Sequence, residues 1–165
     1  MISIEELYRR HADDVLRFAF WLSGDRAEAE ELTSETFVRA WSGADPARTE
    51  TLRAYLFAIT RNLYVTGRRR ASRHGALDPA HADPSPAPDR EAGARLELDL
   101  TMAALQEIPE AERTPLLMRA SLDLPYEEIA RALGISVTVA KVRVHRARKR
   151  LAALMERAPA EGGRR

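Results

Sequence analysis

Apolar side chains recur at helical spacing from the start of the chain. The first stripe is formed by Ile4, Leu7, Tyr8, His11, Val15, Phe18 and Leu22. Intervals of three and four residues predict an amphipathic helix, and the following Ser23-Gly24-Asp25 supplies a stop and a new start. Asp25 can cap the next helix, with Glu28 three residues further on. The pattern therefore predicts a helix, a turn and a second helix.

Two further stripes extend this helical pattern. The inner face of the second helix is predicted to consist of Ala29, Leu32, Thr33, Thr36, Phe37, Ala40 and Trp41. The stretch from Ser42 to Glu50 contains Gly43 and Pro46, which predict a loop. A third long helix then begins with Leu52, Tyr55, Leu56, Ile59 and Leu63 and ends in Arg68-Arg69-Arg70.

The segment from Gly75 to Gly93 interrupts the helical pattern. It contains four prolines, and Leu77 is its only large apolar residue, so burial cannot offset the entropy lost on ordering. We expect residues 75–94 to be a flexible linker between modules at 1–74 and 95–157, with a disordered tail at 158–165. The predicted fold class is all-α, with two small helical modules joined by a Pro-rich linker.

Prolines set the helix boundaries predicted for the second module. Pro109 should end its first helix. Pro115 is tolerated only in a first helical turn, which places the start of the next helix at about Arg113 or Thr114. Pro125 then opens a third helix.

The segment from Pro125 to Leu151 predicts a helix-turn-helix. Gly134 can adopt a positive φ at the end of a short helix, and Ser136 can cap the helix that follows. The second helix has a predicted buried stripe of Ala140, Val144, Ala147 and Leu151. Such a helix fits the major groove of DNA, so the C-terminal module is predicted to read duplex DNA.

The opposite face of that helix supplies the candidate DNA contacts. Near its start, the candidates are Ser136 at the cap and, for base edges, Thr138, Lys141, Val142 and His145. Val142 could meet a thymine methyl group or instead pack against Leu133 or a neighbouring helix. The candidates for phosphate contacts are Arg143, Arg146, Arg148 and Lys149.

The formal net charge of +1 conceals an uneven distribution. Residues 1–50 hold 6 Arg against 11 acids, and residues 51–74 hold 6 Arg and no acid. Residues 75–136 hold 5 Arg against 12 acids, and residues 137–165 hold 9 basic residues against 2 acids. Two acidic stretches, each followed by a basic one, indicate two modules. In each module the last helix is expected to bind a polyanion. A single basic block could equally be a solvated helix face.

Composition narrows the function classes. The absence of cysteine excludes disulfides and thiolate chemistry, and the four histidines lack metal-ligand spacing, so we predict no metal site and no cofactor. No apolar run approaches the roughly 18 residues of a membrane span, and the N-terminus lacks signal-peptide features, which predicts a cytoplasmic protein. No nucleophile, base and orienting group form a recognisable set, so we expect no enzyme.

Both modules resemble one family, the extracytoplasmic-function (ECF) group of sigma factors related to the bacterial housekeeping sigma. In the N-terminal module the resemblance rests on AEELTSETFVRAW (residues 29–41) and YLFAITRNL (residues 55–63). In the C-terminal module it rests on EEIA (127–130), LGIS (133–136) and RARKRL (146–151). The resemblance covers nearly the whole chain outside the linker and tail. Among the departures, Ser34 replaces a usual glutamine, and Thr138-Val139-Ala140 replaces a usual Gly-Thr-Val.

The resemblance implies a subunit that gives RNA polymerase its promoter recognition. The residues implied in binding the clamp of the largest polymerase subunit are Glu31, Ser34, Glu35 and Arg39, with the polymerase flap as a further contact. Those implied at the minus-ten promoter element are Arg53, Arg61, Asn62, Arg68 and Arg69, with Arg70 and Arg73 suited to phosphates. The helix-turn-helix would read the minus-thirty-five element, and an anti-sigma protein is an implied partner.

Two other classes remain open at this point. A helix-turn-helix regulator would bind operator DNA as a dimer and without polymerase. A protein-binding adaptor would be insensitive to neutralising Lys141 and Arg143. The N-terminal module shows neither a phosphoacceptor strand pattern nor a ligand-pocket pattern, which favours the sigma factor.

Overall fold

A computed structural model describes residues 3–43, 51–74 and 92–161, and every regular element in these ranges is an α-helix. The helices are α1 (Ile4–Ser23), α2 (Arg26–Gly43), α3 (Leu52–His74), α4 (Ala92–Glu107), α5 (Glu110–Ala120), α6 (Tyr126–Leu133) and α7 (Val137–Glu161). The all-α prediction is confirmed. The predicted linker falls largely on residues 75–91, which lie outside the described residues, as do residues 44–50 of the predicted loop.

The N-terminal module is a bundle of α1, α2 and α3, and its turns are made as the sequence predicts. The backbone N–H of Glu28 donates to the Asp25 carboxylate at 3.1 Å, which caps α2. Phe18 and Phe57 are fully buried and meet edge to face at 5.3 Å between ring centroids. A hydroxyl–hydroxyl bond of 2.9 Å joins the buried Thr36 and Thr60, so these two hydroxyl groups satisfy each other across the interface between α2 and α3.

Some predicted inward positions of this module are wrong. Trp41 was expected on the inner stripe of α2 but is 57% exposed, and Tyr8 is 52% exposed although its ring packs in a T-shaped arrangement with Phe37, 5.0 Å between centroids. Trp41 lies in the last turn of α2, where the helix ends at Gly43. A large aromatic group is therefore available to a partner.

The C-terminal module contains α4 to α7, and one of its helix boundaries differs from the prediction. Helix α5 begins at Glu110, so Pro115 lies inside the helix and not in its first turn. The backbone N–H groups of Glu112 and Arg113 both donate to the Pro109 carbonyl at 2.9 Å, which starts the helix early. Burial of Pro115 and its neighbours offsets the hydrogen bond that the proline cannot donate.

Both ends of the predicted C-terminal module also differ. Helix α4 begins at Ala92, ahead of the predicted start at residue 95. Helix α7 continues to Glu161, so residues 158–161 are helical where the sequence predicts a disordered tail. The remaining tail residues, 162–165, lie outside the described residues.

The two modules pack against each other. Helix α1 contacts α4 and α5, and α3 contacts α6, so the buried apolar residues of both modules form one cluster. At this junction Gln106 donates from its side-chain amide to the Trp21 carbonyl at 3.2 Å. The described parts of the chain therefore have a closed arrangement, which the sequence did not predict.

Gly24 lies at the junction between the two modules, close to the side chain of Gln106. Gly24 (φ 72°) and Gly134 (φ 65°) both end helices in the left-handed region, where an L side chain costs about 1 to 2 kcal/mol. A Cβ on Gly24 would also lie 2.9 Å from Cδ of Gln106, whereas a Cβ on Gly134 would meet nothing within 4 Å. Gly24→Ala is expected to lower the free energy of urea unfolding by about 1 kcal/mol more than Gly134→Ala, because Gln106 must move and lose its hydrogen bond. Equal losses would show that the modules do not approach closely here.

Candidate nucleic-acid interface

Helices α6 and α7 form the predicted helix-turn-helix. The backbone N–H of Ile135 donates to the Ala130 carbonyl at 3.0 Å as the chain turns at Gly134. Ser136 caps α7, its hydroxyl accepting from the backbone N–H of Val139 at 3.1 Å. Ala140, Val144 and Ala147 are fully buried, as the stripe predicts. The packing thus fixes which side of α7 faces outward.

The outward side of α7 carries nearly all the residues predicted to contact the minus-thirty-five element. Exposed positions are Ser136, Thr138, Lys141, Val142, His145, Arg146 and Arg148, whereas Arg143 is half-buried. Val142 is 41% exposed, so it lies on the surface and not in the module core. An exposed cationic helix face of this kind can enter a major groove.

Tyr126 was not predicted as a site residue, yet it lies between two cations. The Lys141 ammonium lies 5.7 Å from the centroid of its ring, and the Arg119 guanidinium lies 5.0 Å from it. Cation–π contacts of this kind hold a long side chain in one direction. Tyr126 therefore positions Lys141 at the start of the exposed cationic face of α7, which we call the reading face.

Helix α3 carries the residues predicted to engage the minus-ten element, and two of them form hydrogen bonds with the C-terminal module. Arg61 makes a two-bond ion pair with Glu110 of α5, at 2.9 and 3.3 Å. Arg53 donates to the Leu122 carbonyl at 2.8 Å. Asn62, by contrast, is exposed. In this closed arrangement the C-terminal module covers part of the predicted minus-ten surface.

Arg68 is also engaged within the protein. It forms a 3.1 Å ion pair with Glu28 and lies over the Tyr64 ring, 5.1 Å from its centroid. Burial raises the pKa of Glu28, and the charge of Arg68 only partly opposes this effect. Arg69, Arg70 and Arg73 are exposed, so they, and not Arg68, are free to face a phosphate backbone.

A second candidate surface lies on α2. Glu31, Ser34, Glu35 and Arg39 are all exposed on it, and Glu35 pairs with Arg39 at 3.1 Å. Val38 lies among them and is 58% exposed. Sequence reasoning missed Val38, although its place four residues after Ser34 indicates the same helix face. The surface therefore combines exposed acidic groups with an exposed apolar side chain.

Other kinds of site are not found in the part of the chain described above. No group of three or more potential ligands there could hold a metal ion. None of the described helices combines the length and the apolar character that a membrane span needs.

These features define a class of protein that is all-helical, contains a helix-turn-helix typical of DNA-binding proteins, and has a second exposed surface with acidic groups on α2. Comparison with known protein families identifies the family within this class. Residues 7–74 match the Sigma-70 region 2 model, and residues 98–151 match the Sigma-70 region 4 model. The chain belongs to the ECF RNA polymerase sigma factors.

Individual relatives agree with this assignment. The chain is 37% identical to the ECF sigma factor SigE of Mycolicibacterium smegmatis, over 92% of this chain and 61% of SigE. It therefore spans less than two thirds of that relative's length. It is 32% identical to the sigma factor NccH of Alcaligenes xylosoxydans xylosoxydans, over 92% of this chain and 86% of NccH.

Two solved structures have the same fold. One is the sigma factor RpoE in complex with the anti-sigma factor NepR from Bartonella quintana, with a TM-score of 0.73 and 25% identity over 92% of this chain and 96% of that chain. The other is CnrH in complex with the cytosolic domain of CnrY, with a TM-score of 0.68 and 26% identity over 93% and 87% of the two chains. In both cases the likeness extends over both modules of this chain.

Proposed function

We propose that this ECF sigma factor directs core RNA polymerase to specific promoters and assists DNA opening there. The observation that carries the proposal is the exposed, cationic face of α7 in a chain that contains sigma regions 2 and 4 in order. In this proposal α7 reads the minus-thirty-five element as duplex, with Thr138, Lys141, Val142 and His145 at the bases. Ser136, Arg143, Arg146 and Arg148 hold the neighbouring backbone.

The α2 surface is the proposed contact with the polymerase. Glu31, Ser34, Glu35 and Arg39 bind the clamp of the largest subunit, and the C-terminal module also contacts the flap. Support comes from the exposure of all four side chains and from Val38 among them. An exposed apolar residue inside a ring of charged groups can supply affinity while the charges supply register.

Helix α3 is the proposed minus-ten surface. Arg53, Arg61, Asn62 and Arg69 engage the opened strand, and Arg68 contributes by positioning Tyr64 and α2. Extruding a base costs a few kcal/mol, which the binding energy of the complex supplies. The protein acts by binding alone, in the cytoplasm where its polymerase works. Because the similar sigma factor RpoE is solved in complex with the anti-sigma factor NepR, we also propose an anti-sigma partner for this chain.

A binding comparison separates this function from that of a helix-turn-helix repressor. Genomic DNA fragments are incubated with the protein alone, with core polymerase alone and with both, and the retained fragments are sequenced. We expect a reproducible set of fragments only when both are present. Selective retention by the protein alone would favour a repressor.

A further inference from the structure

We propose that Tyr126 is a specificity-determining residue of promoter recognition, which acts by holding the Lys141 ammonium where it meets one guanine of the minus-thirty-five element. Tyr126 is a positioning residue in this proposal, because Lys141 makes the contact with the base. The inference rests on the proposed function, since it concerns the recognition of DNA by the same reading face. It adds a residue of α6 that lies outside the predicted set of DNA contacts.

The Tyr126 ring is held in place by α6 and by the core of the C-terminal module. Tyr126 is the first residue of α6 and directly follows Pro125. The Pro125 carbonyl accepts from the backbone N–H groups of Glu128 and Ile129, at 3.0 and 3.1 Å, which fixes the first turn of the helix. The side chain of Tyr126 is half-buried and packs against the hydrophobic core. The ring therefore has a defined position from which it can restrain a more mobile neighbour.

Lys141 brings its ammonium group to this ring from the second helix of the helix-turn-helix. It lies in the second turn of α7, which begins at Val137, and its side chain is exposed. Its Nζ lies 5.7 Å from the centroid of the Tyr126 ring. That distance is within the roughly 6 Å over which an aromatic face attracts a cation. The contact therefore restrains the charged end of a side chain that is otherwise surrounded by solvent.

A second cation, Arg119 of α5, approaches the same ring. Its guanidinium carbon lies 5.0 Å from the ring centroid, and the group also donates to the Leu124 carbonyl at 3.3 Å. Nη1 of Arg119 lies 3.6 Å from a carboxylate oxygen of Asp123, although the Asp123 side chain is 95% exposed and solvent screens this pair. Arg119 thus ties the ring to the loop between α5 and α6, and Asp123 reduces the repulsion between two cations that share one ring.

A restrained ammonium group can reach fewer acceptors than a free one. Lysine is a compact charge on a flexible stem, so an unrestrained Lys141 could contact either a guanine edge or a phosphate. Phosphate contacts carry no sequence information, whereas guanine presents N7 and O6 as acceptors in the major groove. The first residues of a recognition helix face base edges, and Lys141 lies there. Restraint by the ring therefore strengthens the preference of Lys141 for guanine at one base pair.

The matched variants Tyr126→Leu and Tyr126→Phe test the proposal, because both keep an apolar side chain but only phenylalanine keeps the aromatic face. Holoenzyme is assembled from core polymerase and each full-length protein. The template is a promoter that the wild-type holoenzyme transcribes, randomised across its minus-thirty-five element, and the RNA made from each sequence is counted. We expect wild type and Tyr126→Phe to prefer guanine at one base pair. In Tyr126→Leu this preference should fall by about two- to fivefold, which is the roughly 0.5 to 1 kcal/mol of an exposed cation–π contact, with the other positions unchanged.

Lys141→Ala separates a positioning role from a merely structural one. If Tyr126 acts through Lys141, the guanine preference is already lost in Lys141→Ala, and adding Tyr126→Leu changes the sequence profile no further. If the ring only supports the fold of the module, Tyr126→Leu has the same effect with and without Lys141. The comparison therefore measures the coupling between the two side chains.

Four results overturn the proposal. They are an unchanged profile in Tyr126→Leu, a uniform loss of transcription across all sequences, an equal loss of the guanine preference in Tyr126→Phe, and a further change of the profile in the Lys141→Ala background. If circular dichroism shows that Tyr126→Leu is unfolded, Tyr126→Met also removes the ring and carries the same expectation. Wild-type holoenzyme that prefers a minus-thirty-five sequence which these variants prefer equally refutes this inference alone. Wild-type holoenzyme that starts RNA at no promoter refutes the proposed function.

Discussion

Replacing Arg143 and Arg146 together with alanine is expected to abolish promoter-directed initiation while leaving affinity for core polymerase unchanged. Arg146 is exposed on the reading face of α7, and Arg143 lies half-buried at its edge. A hydrogen bond to a charged group contributes about 1.5 to 3 kcal/mol, so losing two such contacts should weaken promoter binding by at least about 100-fold. The proposed core-binding surface on α2 is not changed by these substitutions.

Promoter-directed initiation is measured by run-off transcription. Affinity for core polymerase is measured by the fluorescence anisotropy of the labelled sigma factor. Arg9→Ala with Arg10→Ala is the matched control, because it also removes two exposed arginines but from α1. The control is expected to retain both activities. Equal loss of transcription and core binding in the Arg143 and Arg146 variant would contradict the division of labour between α7 and α2.

Reversing the charge of Glu35 is expected to lower the affinity for core polymerase while leaving DNA binding unchanged. Glu35→Lys places a cation beside Arg39, its present partner at 3.1 Å, and in the middle of the proposed clamp contact. Like charges brought together at an interface cost several kcal/mol, which predicts a loss of core affinity of at least about 100-fold. Binding of duplex DNA by the α7 face should not change.

Glu5→Lys is a close control for this variant. Glu5 and Arg9 form an exposed pair at 2.8 Å with the same four-residue spacing, but on α1 and outside the α2 surface. The cost of reversing one member of such a pair is therefore common to both variants. Core affinity that falls equally in both would mean that α2 has no special role, and retained affinity in Glu35→Lys would remove the clamp assignment.

The parts of the fold that the sequence predicts correctly depend on local interactions. The Asp25 cap on α2 and the turn at Gly134 involve residues at most a few positions apart. The buried stripe of α7 follows from helical periodicity alone, with Ala140, Val144 and Ala147 fully buried as predicted. These features can be predicted from local sequence. One short segment contains both the donor and the acceptor of each cap or turn, and one helix contains the whole stripe.

The features that were missed depend on residues far apart in the chain. Arg61 pairs with Glu110 and Arg113 with Tyr64 across 49 residues in each case. No spacing rule brings such residues together, because tertiary packing decides their neighbours. The same cause explains Pro115, whose unfavourable place inside α5 is offset by burial that only the folded module provides. The candidate site residues on α3 could therefore be named from the sequence, but the bonds that Arg53 and Arg61 make with the C-terminal module could not.

Run-off transcription with core polymerase and a library of genomic promoter fragments tests the central claim most directly. The account predicts that the purified chain makes core enzyme start RNA at a defined subset of fragments, at fixed positions, and that neither component does so alone. Core enzyme that gains no defined start site from this chain on any fragment would contradict it.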